Sequence, residues 1–173
     1  MITPAEREAS SNAVCARILQ HSIWRSAKSV LVFASLKDEV DVTELLAEGT
    51  RESKIVAVPR FDSASGTYGA ARLMTRSQLV PGRFGVPEPE AGCPAVPLNQ
   101  LDLILVPGVA FDFAGRRLGR GKGFYDRLLA QVRGHKCGVA FEQQLVAELP
   151  EEPHDVRVDS ILTPTRWLSA RVD

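Results

Sequence analysis

Residues 101–132 of the chain read LDLILVPGVAFDFAGRRLGRGKGFYDRLLAQV. Apolar side chains run almost unbroken from Leu101 to Val106, as they do in a strand that is buried on both faces of a parallel sheet. A Pro-Gly pair ends this strand. From Phe124 onwards apolar residues recur at helical spacing, which predicts that a helix begins near that residue.

The segment between strand and helix combines four glycines with four cations: Gly115, Arg116, Arg117, Gly119, Arg120, Gly121, Lys122 and Gly123. Glycines allow positive φ, so successive backbone N–H groups can curl around an anion. The following helix adds free N–H donors and the positive end of its dipole. Four cations this close repel one another unless solvent or a polyanion lies among them. The pattern favours a cradle for the phosphates of a nucleoside triphosphate over a flexible, solvated basic loop.

Two familiar phosphate-binding motifs do not fit this segment. A P-loop requires glycine where Arg116 stands and serine or threonine where Gly123 stands. A dinucleotide-binding turn requires G-x-G-x-x-G, whereas the last three glycines here form G-x-G-x-G. The segment is therefore a phosphate loop of another kind.

Composition restricts the class of protein. The 173 residues suffice for one domain, residues 1–173, with a large core. Lys+Arg and Asp+Glu both number 21, so neither nucleic acid nor an anionic membrane is expected as a partner. No apolar run approaches a membrane span, and the charged N-terminus does not resemble a signal peptide. Three cysteines without C-x-x-C spacing indicate reduced thiols in a cytoplasmic protein rather than a metal site or disulfides.

The remaining sequence alternates between helices and short strands. Thr3, Pro4 and Glu6 predict a capped helix that runs to about Gln20, and Asp41 is the expected N-cap of a second helix. Strands are predicted at 29–35, 55–58, 67–74 (at an edge), 138–141 and 156–162 (the last strand), with a short helix at 142–146 and a proline-rich segment without regular structure at 81–97. This alternation predicts a three-layer α/β domain with a mainly parallel sheet.

Glu39 is the first acidic candidate for a ligand site. It follows the predicted strand 29–35, and open α/β sheets bind ligands at the loops after their strands. The alternative is an exposed carboxylate that merely stabilises a nearby helix start. The position of Glu39 in the sequence does not distinguish a ligand-binding role from a helix-stabilising one.

Several segments together resemble the 5-formyltetrahydrofolate cyclo-ligases, also called 5,10-methenyltetrahydrofolate synthetases. The resemblance is carried by Pro107-Gly108-Val109-Ala110-Phe111-Asp112 and by Gly115-x-Arg117-Leu118-Gly119-x-Gly121-x-Gly123-Phe124-Tyr125-Asp126-Arg127, with further matches at Glu39-Val40-Asp41, 83–89, Gln144 and 150–159. It extends from about Pro4 to Ile161. It implies the architecture of the ribose-phosphate isomerase and CoA-transferase group.

The resemblance also implies an activity, the ATP-dependent conversion of 5-formyltetrahydrofolate into 5,10-methenyltetrahydrofolate with release of ADP and phosphate. In that family the formyl oxygen is thought to attack the γ-phosphate, after which N10 closes the ring and phosphate leaves. Such a reaction needs positioning and charge neutralisation rather than covalent chemistry by the protein. The expected partner is this small-molecule folate, and a monomer is expected.

The resemblance implies a role for particular residues of this chain. ATP is expected to bind the segment Arg117, Leu118, Gly119, Arg120, Gly121, Lys122, Gly123, Phe124 and Tyr125, with Arg120 and Lys122 as the catalytic cations. Ala34, Glu39 and Phe84 are expected to contact the folate. Asp126 and Asp155 are expected to hold Mg²⁺, although an aspartate near a helix start is also stabilising without a metal. The two aromatics at 124 and 125 either stack on a ligand ring or pack in the core.

The sequence departs from the family pattern in two places. Phe124 replaces the usual tyrosine, and the sequence begins after a family helix that carries a Lys/Arg pair for phosphate binding. Either the start of the sequence is truncated or ATP binds less well; in the second case we expect Arg116 or Arg117 to substitute in part, because neither has an obvious partner in the sequence. Two other interpretations stay open at this stage: a relative that binds folate or nucleotide without turnover, and a sugar-phosphate isomerase that uses Glu39 or Asp112 as its base.

Overall fold

A computed structural model describes residues 2–170. Met1 and residues 171–173, which the single-domain prediction also covers, lie outside the described residues. The α-helices are α1 (Pro4–Gln20), α2 (Ser22–Ser26), α3 (Glu44–Arg51) and α4 (Phe124–Leu129). The strands are β1 (Ser29–Leu31), β2 (Ile55–Asp62), β3 (Thr67–Arg72), β4 (Leu79–Pro81), β5 (Pro87–Pro89), β6 (Ala95–Val96), β7 (Leu103–Val106), β8 (Ala110–Asp112), β9 (Arg117–Leu118), β10 (His135–Val139), β11 (Leu145–Val146), β12 (Ser160–Leu162) and β13 (Trp167–Ser169).

An eight-stranded sheet forms the centre, in the order β13-β12-β10-β7-β1-β2-β3-β6. The five strands from β12 to β2 pair in parallel, and the three outer strands pair antiparallel. All four residues of β7 are buried, as expected for a strand covered on both faces. Strands β8, β9 and β11 form a small separate sheet, and β4 pairs with β5.

Two cores pack on opposite faces of the central sheet. Val30 of β1 and Leu103 and Leu105 of β7 face the core that includes α1, α2 and α3, while Leu31 and Ile104 face the core that includes α4. Successive strand residues point to opposite faces, so these alternating side chains fill both cores. The result is the predicted three-layer α/β domain with a mainly parallel sheet.

Helix α1 begins where the sequence predicts. Thr3 Oγ1 accepts a hydrogen bond from the backbone N–H of Glu6, and the Glu6 carboxylate accepts one from the backbone N–H of Thr3. Pro4 occupies the first turn, where its missing N–H costs nothing. Trp24 in α2 is fully buried, and all three cysteines are buried and free.

Several predicted boundaries were wrong. The second predicted helix begins at Glu44 rather than near residue 42, and its N-cap residue is Thr43 rather than Asp41, whose carboxylate accepts hydrogen bonds from the backbone and hydroxyl of Thr43. Residues 81–97 do contain regular structure, since β5 pairs with β4 and β6 pairs with β3. Strand β6, not β3, is therefore the outermost strand. Segment 142–146 is a 3₁₀ turn followed by β11, and β13 follows the strand that was predicted to be last.

None of the helices between residues 2 and 170 has the length and apolar character that a bilayer crossing requires.

Candidate functional site

Two loops meet at one edge of the central sheet. β1 and β7 are parallel neighbours, with Val30 opposite Leu103, so their carboxyl ends lie side by side. We call the segment that follows β1, residues 36–41, the acidic loop. The segment that precedes α4, residues 115–123, is the glycine loop. Between them lies a cavity of about 570 Å³ that both loops line.

This cavity brings together all the residues that the family resemblance assigned to ATP, folate and Mg²⁺, whereas the two other candidates, Asp112 and Arg116, do not line it. The lining residues include Ala34, Glu39, Phe84, Arg117, Leu118, Gly119, Arg120, Gly121, Lys122, Gly123, Phe124, Tyr125, Asp126 and Asp155. They come from five separate stretches of the chain. The juxtaposition therefore results from the fold and could not arise from one local motif.

The glycine loop begins with regular structure, since Arg117 and Leu118 form β9. β8 and β9 form an antiparallel hairpin between β7 and the loop's last residues, which the sequence did not predict. Gly121 and Gly123 have φ values of +80° and +61°, the left-handed region that favours glycine. Gly123 is the N-cap residue of α4. Successive backbone N–H groups in such a segment can line an anion-binding concavity.

Arg116 and Arg117 both have partners, so the premise that neither has one, on which their expected substitution for phosphate contacts rested, was wrong. Arg116 Nη1 lies 3.2 Å from Asp112 Oδ2 and 3.2 Å from Glu148 Oε1. Arg117 Nη2 lies 3.0 Å from each carboxylate oxygen of Asp126, and only 4% of the Arg117 side chain is exposed. Removing one partner from a pair this deeply buried costs about 3–5 kcal/mol, so Arg117 is held in place.

Gly119 makes room for the Arg117 guanidinium. A Cβ at Gly119 would lie 2.7 Å from Arg117 Nη1, closer than Cβ atoms approach non-bonded atoms in real structures. The guanidinium also lies over the ring of Tyr125, 5.7 Å from its centroid. Tyr125 packs against both cores, which is the packing role that the sequence left open for it.

Arg120 connects the two loops across the cavity. Its Nη2 donates to both oxygens of Asp38, at 2.8 and 2.9 Å, and lies 3.5 Å from Glu39 Oε1. The hydrogen bond from Arg120 is the main cause that lowers the pKa of Asp38. Half of the Arg120 side chain is exposed, so its net contribution to stability is at most about 1 kcal/mol. Arg120 is therefore free to exchange Asp38 for another anion.

Lys122 lies over an aromatic cluster at the cavity mouth. Its Nζ is 3.6 Å from the centroid of the Phe84 ring, which stacks on Phe124 with centroids 5.5 Å apart. Phe61 and Tyr68 pack edge-on against Phe124. Sequence reasoning missed these last two residues because no motif marks them. Phe84 is half exposed and has a φ of +61°, an uncommon conformation for a residue that is not glycine.

Glu39 is a buried carboxylate that faces the cavity. Only 9% of the residue is exposed, and burial raises the pKa of its carboxyl group. Oε2 accepts a hydrogen bond of 2.9 Å from the backbone N–H of Leu36, while Oε1 faces Arg120. A perturbed carboxyl group in a cavity is typical of a functional site. The alternative of an exposed carboxylate that only stabilises a helix start was wrong.

The two predicted metal ligands lie on neighbouring segments. Asp126 Oδ1 accepts a long hydrogen bond of 3.5 Å from the backbone N–H of Val156, which directly follows Asp155. Asp155 Oδ2 accepts one of 2.8 Å from the backbone N–H of Glu152. Among residues 2–170 no three His, Cys, Asp or Glu side chains gather into a metal-binding group. Two carboxylates are nevertheless enough for Mg²⁺ when phosphate oxygens and water complete its shell.

Asp112 does not fit the role of a proton-abstracting base. It is 1% exposed, and its carboxylate accepts hydrogen bonds from the backbone N–H groups of Ala114, Arg116 and Leu149. The bonds from Ala114 and Arg116 stabilise the turn between β8 and β9. Its sequence-based candidacy as an isomerase base was therefore wrong.

Fold and cavity together define an α/β protein with a cavity at the carboxyl edge of its sheet, lined by cations and backbone groups that suit an anionic ligand. A sequence profile of the 5-formyltetrahydrofolate cyclo-ligase family matches residues 1–164. The chain belongs to that family.

Individual relatives agree with this assignment. The chain is 33% identical to a 5-formyltetrahydrofolate cyclo-ligase of Escherichia coli, with 95% of this chain and 93% of the relative aligned. It is 30% identical to the mouse enzyme of the same name, with 93% and 85% aligned. Among solved structures, Aquifex aeolicus 5,10-methenyltetrahydrofolate synthetase superimposes with a TM-score of 0.88 at 34% identity, covering 99% of this chain and 87% of that one.

We predict that Glu39→Gln stabilises the folded protein at neutral pH. A pKa raised above the ordinary value of 4.5 means that the folded state binds the proton more tightly, so ionisation of Glu39 opposes folding once the pH exceeds that value. Urea unfolding at pH 7.5 should show Glu39→Gln to be the more stable protein, and the difference should shrink as the pH falls towards 4.5. An equal difference at both pH values would contradict the assigned pKa shift.

Proposed function

We propose that the cavity between the acidic loop and the glycine loop is the active site of this enzyme. There it performs the ATP-dependent cyclisation of 5-formyltetrahydrofolate to 5,10-methenyltetrahydrofolate, with release of ADP and phosphate. One observation carries the proposal: the glycine loop and the buried Glu39 line the same cavity and are linked by Arg120. A cyclisation driven by phosphoryl transfer requires both substrates in one such space.

The nucleotide end of the cavity is the glycine loop. ATP supplies the phosphoryl group that turns the formyl oxygen into a leaving group. The backbone N–H groups of residues 119–123 are suited to bind its phosphate oxygens. Arg120 and Lys122 are the cations that can turn towards the transferring phosphoryl group, because the partners they now have are an exposed carboxylate and an aromatic ring. Charge neutralisation by such groups is the main catalytic contribution in phosphoryl transfer.

The folate end of the cavity is formed by Ala34, Glu39 and Phe84. The Glu39 carboxylate can accept hydrogen bonds from N–H groups of a pterin ring, and its buried position makes such bonds stronger than they are in water. Phe84 and Phe124, which stack on each other, line the same cavity and present aromatic surface to it. A flat heterocycle is well matched to a wall of this kind.

Mg²⁺ is proposed at Asp126 and Asp155, where it would neutralise phosphate charge. Asp126 already holds Arg117, so any cation there must share that carboxylate. Asp155 has no comparable guanidinium partner among the ion pairs of residues 2–170; its nearest basic group is His154, at 3.7 Å. Asp155 is therefore the ligand whose removal tests the metal most cleanly.

We further propose that the enzyme is a cytoplasmic monomer and that residues 1–173 form one domain. Three buried, free thiols suit a reducing compartment. All proposed site residues come from a single chain, so the proposed site requires no second copy.

Formation of the methenyl product tests the proposed function. The purified protein, given MgATP and 5-formyltetrahydrofolate, should produce the methenyl chromophore and one phosphate per folate consumed. A protein that binds folate without turnover would give no chromophore. An isomerase would give none either, and its activity would not require ATP. Binding of both ligands without ATP-dependent product would contradict the proposal.

Lys122→Ala is predicted to raise the KM for MgATP by about ten- to a hundredfold, because a charged contact to phosphate contributes roughly 1.5–3 kcal/mol. The KM for folate should change far less. Arg127→Ala is the matched control, since Arg127 lies over the Phe124 ring at 4.9 Å but does not line the cavity. Equal effects of the two variants on the KM for MgATP would show that Lys122 does not face phosphate.

Asp155→Asn is predicted to increase severalfold the Mg²⁺ concentration that gives half-maximal activity, because loss of a carboxylate weakens a site for a hard cation. Glu152→Gln is the control, since its carboxylate lines the same cavity and is 72% exposed. A magnesium titration of both variants separates a ligand from a general charge effect. The metal assignment fails if Asp155→Asn shows an unchanged requirement, or if Glu152→Gln shifts it equally.

A further inference from the structure

We propose that Arg7 is a positioning residue that orients Glu39 for folate binding from the far side of the acidic loop. The inference rests on the proposed function of Glu39. Arg7 lies in the first turns of α1, and 24% of its side chain is exposed. Arg7 is in none of the motifs that carry the family resemblance, and it does not line the cavity between the acidic loop and the glycine loop.

The Arg7 guanidinium binds both ends of one tight turn. Its Nε donates to the backbone oxygen of Glu39 at 2.9 Å, and its Nη2 donates to the backbone oxygen of Leu36 at 3.1 Å. Its Nη1 also lies 3.7 Å from a carboxylate oxygen of Asp41. A planar guanidinium can reach two carbonyl groups at once, which the single ammonium of lysine cannot do with the same geometry.

The turn that Arg7 holds determines where the Glu39 carboxylate points. The backbone N–H of Glu39 donates to the backbone oxygen of Leu36 at 3.1 Å, and the backbone N–H of Leu36 donates to Glu39 Oε2 at 2.9 Å. The turn is thus closed twice, once by the backbone and once by the Glu39 side chain. Any rotation of the turn would move Oε1 away from Arg120 and from the cavity.

Helix α1 also holds the far end of the acidic loop. Ser11 lies four residues after Arg7 and therefore on the same face of the helix. Its Oγ accepts a hydrogen bond of 2.9 Å from the backbone N–H of Asp41. Two side chains of α1 thus fix the loop at its start and at its end. This pattern explains why a half-exposed loop carries a buried carboxylate in one defined orientation.

A double-mutant cycle tests this role through ligand binding rather than turnover. Affinities for 5-formyltetrahydrofolate and for MgATP are measured by calorimetry on the full chain, for Arg7→Met and Glu39→Gln singly and together. We expect Arg7→Met to weaken folate binding by about tenfold or more and MgATP binding by less than about twofold. In the Glu39→Gln background, Arg7→Met should weaken folate binding by less than about twofold, because the group it positions has already been changed.

Two further variants control for general effects. Arg17→Met removes another α1 arginine that donates to a backbone oxygen, that of Pro164 at 3.3 Å, and it should leave folate affinity unchanged. Arg7→Lys should give an intermediate folate affinity, and it replaces Arg7→Met in the cycle if the latter does not fold. Equal weakening by the Arg7 variant in both backgrounds, or equal weakening of both ligands, would overturn the positioning role. If the unmutated protein binds no 5-formyltetrahydrofolate, the proposed function fails, and the role of Arg7 fails with it.

Discussion

The parallel pairing of β1 with β7 is the constraint on which the site depends. It places the ends of two strands that are more than 70 residues apart in sequence next to each other at one edge of the sheet. Their alternating side chains fill both cores, and a slip of one residue would move each side chain into the opposite core and disrupt the close packing of both. The register is therefore strongly fixed. The paired strands β1 and β7 therefore determine the shape of the cavity, although they have no role in the chemistry.

The cations of the glycine loop differ in burial, and this difference suits them to different roles. The Arg117–Asp126 pair is almost fully enclosed, so leaving Asp126 unpaired would be costly. The Arg120–Asp38 pair is exposed, contributes little, and can be exchanged for phosphate at small cost. A buried pair therefore holds the loop against α4, while the exposed cations are available to the ligand. The sequence alone shows four similar basic residues and cannot make this distinction.

Much of the fold could be predicted from local patterns. The buried run of β7, the capping box at Thr3 and the start of α4 at Phe124 were all predicted correctly, because each depends on neighbouring residues. The β8–β9 hairpin and the short strands between residues 79 and 96 were missed. These strands are only two or three residues long, which is too short to show an alternating pattern, and β6 pairs with β3 rather than with a strand next to it in sequence.

In the candidate site, too, features with a local sequence pattern were predicted and contacts between segments were missed. The glycine loop and Glu39 were recognised from motifs, but the partners of the loop's arginines were not, because Asp38, Asp126 and Glu148 come from three different segments. Phe61, Tyr68 and Arg7 were also missed. Each acts through a contact across the fold and belongs to no local pattern.

In the proposed reaction, one cavity brings the formyl oxygen to the γ-phosphate. Transfer of oxygen-18 tests it most directly: 5-formyltetrahydrofolate labelled in its formyl oxygen is converted with MgATP under single-turnover conditions, and the released phosphate is analysed by mass spectrometry. The account predicts one labelled oxygen in each phosphate, because the formyl oxygen leaves on the phosphoryl group. Unlabelled phosphate formed together with the methenyl product would contradict it.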